Sequence, residues 1–262
     1  MVGTPLFSTT ILSYSGGRRV KYCTIVTNHD NIEIIDIKNA HIGNASGSPY
    51  GINGTFFYSG SSRPSGYALG DVYRIAADNG ARVKARGEVN RLSASANGDC
   101  GTLGWFKSPI NGKNYFCEDI TEIYDLGTTI SNIQWAIGGC NLYLNNAQMN
   151  KATFDSLINE QFSDVTANEP VARSAIAYRP NNQNDIILVA AFGLDDSGNE
   201  TRANGPTPWE LREFLRNSFG TACEGIMLDG GGSTQIAYKS GGSRKCIQPE
   251  QRAVQIMITT PM

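Results

Sequence analysis

One carboxylate, Asp229, is delivered by the apolar run Ile226-Met227-Leu228 into three consecutive glycines, Gly230, Gly231 and Gly232, and the chain leaves through Ser233 and Thr234. Glycine inside an element costs roughly 0.5–1 kcal/mol relative to alanine, so a run of them implies φ > 0 or a close approach by something else. Successive amides in such a turn can form an anion-binding concavity, with Asp229 at its edge as base, nucleophile or metal ligand. The plainer alternative is a tight turn in which Asp229 caps its own backbone.

Two further stretches carry unusual residues. Arg173 stands alone in the apolar strand pattern Val171-Ala172-Arg173-Ser174-Ala175-Ile176, where a buried guanidinium is costly unless it meets a carboxylate or an anionic ligand. An exposed edge position is the alternative. In Tyr50-Gly51-Ile52-Asn53-Gly54-Thr55-Phe56-Phe57 an apolar approach ends at Asn53 and continues into paired aromatics, although Asn-Gly by itself is a common turn signal. Gly138 and Gly139 form a glycine turn between the apolar runs at 133–137 and 142–144. The loop Gly193-Leu194-Asp195-Asp196-Ser197-Gly198 is acidic, and its oxygens suit a structural calcium ion, but the spacing is not that of an EF-hand.

The elements that position these residues read as an α+β fold, a single domain of mixed or antiparallel sheets with a few packed helices. Its 262 residues divide into an N-terminal hairpin and loop over 1–49 and a motif-bearing core over 50–262. Residues 24–37 read as a hairpin, 39–50 and 59–66 as loops, and Asp78-Asn79-Gly80 as the turn of a second hairpin. The segment 93–114 lacks periodicity and reads as an irregular excursion. Helical spacing recurs over Phe154, Leu157, Ile158 and Phe162. Thr207-Pro208-Trp209-Glu210 is a capping box with proline at the first helical position, and the helix it starts closes at Gly220.

Composition narrows the classes. A net charge of −2 gives no electrostatic reason to expect nucleic acid. No apolar run approaches the ~20 residues a bilayer demands and no leader pattern is present, so the chain reads as soluble, cytoplasmic or secreted after processing. The six cysteines are too dispersed for a C-x-x-C metal pair and read as buried thiols, with Cys100–Cys117 and Cys223–Cys246 as the pairings to test in an oxidising compartment. Ser233 lacks the following glycine of a G-x-S-x-G elbow, and His29 and His41 both precede the motifs, so a serine hydrolase is disfavoured.

The order of these stretches resembles the phosphodiester glycosidase family. Asn53-Gly54-Thr55-Phe56-Phe57 is similar to that family's Asn-Gly-x-Phe-Phe, Ile137-Gly138-Gly139 to its glycine turn, Arg173-Ser174 to its Arg-Ser/Thr segment, and Leu228-Asp229-Gly230-Gly231-Gly232-Ser233 to its most specific signature. The chain departs at Cys140-Asn141, where Gly-Pro is frequent, and at Asp195-Asp196-Ser197, where Asp-Gly-Arg is common. The resemblance implies hydrolysis of the bond between a sugar's anomeric carbon and a phosphodiester oxygen, with no required cofactor and with a small-molecule or glycan phosphodiester as partner. In that scheme Asp229, Asn53 and one of Asp195 and Asp196 serve the chemistry. Arg173, Ser174, Gly138, Gly139, Gly230–Gly232 and Ser233 hold the substrate. A non-catalytic module capturing a saccharide or nucleotide-like phosphodiester in the same cleft is the competing expectation.

Overall fold

The apolar run at 186–192 is a strand buried on both faces, and the other elements are layered around it. The computed structural model describes residues 5–58, 66–92, 97–162, 167–180, 185–250 and 252–261. In chain order the strands are β1 (Leu6–Ser13), β2 (Arg19–Asn28), β3 (Glu33–Ala40), β4 (Tyr50–Asn53), β5 (Ala76–Asp78), β6 (Ala81–Arg82), β7 (Cys100–Ile110), β8 (Lys113–Ile120) and β9 (Ile133–Gly138). They continue as β10 (Cys140–Asn141), β11 (Arg173–Arg179), β12 (Asp185–Leu194), β13 (Glu200–Thr201), β14 (Glu224–Met227), β15 (Ile236–Ser240), β16 (Ser243–Ile247) and β17 (Val254–Thr260). Helices α1 (Lys151–Gln161) and α2 (Pro208–Phe219) complete the described elements.

Three sheets result. The first runs β1-β2-β12-β11-β14-β10, with β13 also on β12; the second runs β16-β15-β4-β17-β3 and the third β6-β5-β9-β7-β8. On one face of the first sheet, Ile187, Val189 and Ala191 meet Phe154 and Ile158 of α1 and Leu211, Phe214 and Leu215 of α2. On the other face, Ile186, Leu188 and Phe192 share a core with Ile34, Ile52, Ile256 and Ile258 of the second sheet and Trp105 and Trp135 of the third. Covering both faces explains why β12 reads as an unbroken apolar run although its neighbours are antiparallel.

The α+β expectation therefore stands as mostly antiparallel sheets with two helices, and its "mixed" element is corrected. Every described strand pair is antiparallel. The hairpin expected at 24–37 is also corrected. β2 pairs with β12 while β3 pairs with β17 in another sheet, and a 3-10 turn at His29–Asn31 joins them, with the Asn28 side chain accepting from the Asp30 amide at 3.0 Å. Ile25 and Ile34 enter one core from facing sheets, so the chain turns a corner there. The first 49 residues are thus woven into the core through the β2–β12 ladder, which runs from Asp185↔Asn28 to Gly193↔Val20.

The segment 93–114 holds β7, an eleven-residue strand, where an excursion was expected; residues 93–96 lie outside the described residues. Its glycines mislead because they mark close approach rather than a loop. A Cβ at Gly101 would lie 2.2 Å from the Asn141 amide nitrogen, and one at Gly104 would lie 2.5 Å from the Phe116 ring. The loop expected at 59–66 likewise falls, except for Gly66, outside the described residues. The Asn79-Gly80 hairpin is present, both residues at positive φ (47° and 84°), and so are both helices.

All six cysteines are unbridged. Cys100 faces Ile120 and Cys117 faces Leu103 across β7–β8, which separates the two by about three residues, or roughly 10 Å, along the ladder. Cys246 lies in the second sheet, whereas Cys223 belongs to the helix-side core of the first. Among the described residues no helix is long and apolar enough to cross a membrane.

Candidate active site

β14, next to the last strand of the first sheet, delivers Asp229 to the end of β4, the central strand of the second. Leu228 still donates its amide to the Ser174 carbonyl of β11 at 2.8 Å, whereas the Asp229 amide reaches the Gly54 carbonyl just beyond β4 at 3.3 Å. The Gly231 amide then returns to the Ala172 carbonyl at 2.7 Å, and a 3-10 turn at Gly231–Ser233 leads into β15. The three glycines have separate causes. Gly231 alone adopts a left-handed φ, +59°; a Cβ at Gly230 would sit 3.0 Å from the Ala172 carbonyl oxygen, and one at Gly232 only 2.7 Å from Glu250 Oε2.

Asn53 is buried behind this turn rather than facing a cleft. Its Nδ2 donates to the Asp229 main-chain carbonyl at 2.7 Å, and its Oδ1 accepts from Ser174 Oγ at 2.6 Å and from the Gln235 amide at 3.0 Å. Asn53 and Ser174 thus brace the turn from inside. Gly138 and Gly139 are packing glycines: a Cβ would meet Asn90 Oδ1 at 2.5 Å in the first and the Met227 carbonyl oxygen at 2.1 Å in the second. Gly139 lets the end of β9 close against β14 while Gly138 makes room for Asn90, and Thr55 Oγ1 donates to the Gly138 carbonyl at 2.6 Å.

The Asp229 side chain lies in a largely desolvated setting. Burial pushes its carboxyl up to about 6, opposed by the neighbouring Ser233 hydroxyl, the Arg252 charge, the Gly230 amide and the Arg173 charge. Ser233 lies beside the carboxylate, yet its buried Oγ completes no hydrogen bond of ordinary geometry. Of the amides expected to cradle an anion, that of Gly230 is turned to Asp229 and that of Gly231 to Ala172.

Three cationic side chains lie around the same turn. Arg173 is 4% exposed; its Nη2 donates to the Glu169 carbonyl at 3.0 Å and its Nε has no partner among the described residues. Among the described residues no carboxylate lies within 4.0 Å of it. Burial pulls its pKa down to about 10, against the charges of Glu169, Cys140 and Asp229. Arg202 and Arg252 flank the same turn: Arg202 Nε lies 3.4 Å from a Cβ built at Gly231, and Arg252 Cδ 3.4 Å from one built at Gly232. Sequence reasoning missed both, together with Glu250. Their local spacing matches that of ordinary surface charges, and only their places just after β13 and just before β17 set them beside Asp229.

Asp195 and Asp196 are exposed at the tip of the β12–β13 hairpin. Asp195 accepts from the Asn199 amide at 2.8 Å and from Asn199 Nδ2 at 3.1 Å, bonds that close the hairpin and hold its carboxyl below the usual range. No described contact brings either aspartate to the glycine turn. No group of three or more His, Cys, Asp or Glu able to hold a metal ion occurs among the described residues, the acidic loop included. His29 stacks on Trp105 at 3.9 Å, and Ser233 is buried without a histidine partner.

Comparison with known proteins follows the motifs. The sequence model of the phosphodiester glycosidase family matches residues 46–259. No curated protein sequence matches the chain. Among solved structures, the chain is similar to the catalytic domain of zebrafish N-acetylglucosamine-1-phosphodiester alpha-N-acetylglucosaminidase, auto-inhibited by its pro-peptide. That likeness has a TM-score of 0.65 at 14% identity over 99% of this chain and 83% of that one. A putative exported protein from Burkholderia pseudomallei aligns with a TM-score of 0.34 at 12% identity over 97% of this chain and 57% of that one.

Proposed function

The chain belongs to the phosphodiester glycosidase family, and from that premise we propose that it hydrolyses the bond between a sugar anomeric carbon and a phosphodiester group, releasing free sugar and a phosphomonoester. The observation that carries the reading is the nearness of Asp229 to Arg173, a buried cation with no described carboxylate within 4.0 Å of it.

A sugar or alcohol leaving group needs a general acid because an alkoxide departs badly, and ordinary glycosidases place two carboxyl groups about the bond. A phosphomonoester, with a second pKa of about 6, departs far more easily, so fixed positive charge can take over much of the acid's work. In the proposed reaction a water oxygen bonds the anomeric carbon, directly with Asp229 taking the water's proton or after Asp229 has bonded that carbon first, while the anomeric C–O bond breaks and its electron pair stays on the phosphate oxygen. Arg173, with Arg202 and Arg252 beside it, receives that charge. Asp229 faces the anomeric carbon as base or nucleophile, and either role requires it ionised. Activity is therefore expected to rise through about pH 6.

Asn53 and Ser174 then act through the main chain of the turn as positioning residues, and Gly138 and Gly139 set the backing it rests on. The exposed hairpin tip leaves Asp195 and Asp196 without support as the second carboxylate. The name of the zebrafish protein makes N-acetylglucosamine-1-phosphodiesters the first compounds to try. Mass spectrometry on a panel of sugar-1-phosphodiesters should show time-dependent release of free sugar, reduced on the order of a thousandfold in Asp229→Asn. Stoichiometric binding with the ligand recovered intact would instead make the domain a capture module, and undiminished turnover in folded Asp229→Asn would overturn the assignment.

A further inference from the structure

Arg202 and Glu250 form an ion pair at 3.6 Å directly over the glycine turn, their side chains 48% and 45% exposed. So exposed a pair contributes little to stability. Its location is the informative feature. Glu250 Oε2 occupies the space a side chain at 232 would fill, the Arg252 chain passes the same glycine, and Arg202 lies against Gly231. The turn that begins at Asp229 is thus faced by Arg173, Arg202 and Arg252 and by a second carboxylate, Glu250, while the charge of Glu169 acts on Arg173.

We propose that Glu250 is a specificity-determining residue that competes with the phosphate for Arg202, so that the site holds a singly charged phosphodiester and rejects a doubly charged phosphomonoester. The inference rests on the proposed function for the identity of the anion. A phosphodiester carries one negative charge, which Arg173 meets from inside the site. When the anomeric bond breaks, the phosphate gains an oxygen electron pair, and above a second pKa of about 6 it carries two charges. The second charge faces the Glu250 carboxylate and must draw Arg202 away from it. Repulsion between that second charge and a half-solvated carboxylate weakens binding by about tenfold. The same repulsion reaches full strength only after hydrolysis, so Glu250 would hasten departure of the product.

Titration calorimetry at pH 8 with dimethyl phosphate, singly charged, and methyl phosphate, doubly charged, tests this on the wild type and on E250Q, E250D and R173A. Methyl phosphate is expected to bind about tenfold more tightly to E250Q than to the wild type, dimethyl phosphate less than about threefold more tightly, and E250D should keep the wild-type ratio. An unchanged ratio in E250Q, with binding still lost in R173A, would overturn the role of Glu250 and leave the anion site standing. Failure of both probes to bind the wild type and E250Q would overturn both. Loss of turnover in E250Q with unaltered affinities would make Glu250 part of the chemistry and refute the proposal.

Discussion

Arg173 and Arg212 are both buried, at 4% and 2% exposure, and they live very differently. Arg212, on α2, donates to Glu213 Oε1 at 2.6 Å and to the Tyr143 and Asn146 carbonyls at 3.2 and 2.6 Å, with its guanidinium 4.9 Å from the Trp209 ring centroid. It ties the 143–146 turn to the helix. Among the described residues the Nε of each is without a partner, but Arg173, on β11, has a single main-chain acceptor and no carboxylate within 4.0 Å. A buried charge with no carboxylate in contact is unfavourable by itself, which is why Arg173 is read under the proposed function as facing a ligand anion, whereas one tied to a carboxylate and two carbonyls speaks of architecture.

Substituting each arginine should separate the two roles. Arg173→Ala is expected to lower kcat/KM for a sugar-1-phosphodiester about a hundredfold while leaving the thermal midpoint unchanged or higher. Arg212→Ala should do the reverse, removing about 3 kcal/mol of stability in urea titration, with normal turnover by the folded fraction. Equal effects from both would erase the contrast. Next in size, Asn53→Ala leaves the Gln235 amide and Ser174 hydroxyl facing a void, and about 2–3 kcal/mol of stability should go with it. If Asn53→Ala were fully stable yet inactive, its place behind the turn would be the wrong explanation.

Asp229 sharpens the same contrast through pH. Its folded pKa of about 6 lies above an unfolded value of about 3.9, so between those limits the native state holds a proton that the unfolded chain releases. Stability therefore falls as pH rises from about 4 to about 6, and the penalty is complete above it. Allowing for the partial exposure of the residue, Asp229→Asn should gain about 2 kcal/mol at pH 7.5 and nothing at pH 4. Chemical denaturation at the two pH values measures this. A mutant no more stable at pH 7.5 would mean the carboxylate is better solvated than its surroundings suggest.

What could be read from the sequence was local. The capping box of α2 is present as expected, with the Thr207 hydroxyl accepting from Glu210 and the Glu210 carboxylate from Thr207, because capping is settled within four residues. Asp229 and Arg173 stood out for the same reason, one carboxylate among glycines and one cation among apolar residues. Direction was not legible. Residue type singled out Asn53, but which way its amide points depends on β15 and β11, more than a hundred residues away. Glu250 and Arg202 were invisible because the pairing of distant strands brings them to the turn. The β2–β3 corner was misread because two strands at hairpin spacing look alike whether they join one sheet or two facing ones.

The glycine turn hangs from the main-chain carbonyls of Gly54, Ala172 and Ser174, reached by the amides of Asp229, Gly231 and Leu228. A carbonyl is the same group whatever side chain its residue carries. Neighbouring positions can therefore be rewritten while the carboxylate keeps its address. The place of the carboxylate is thus set through the backbone.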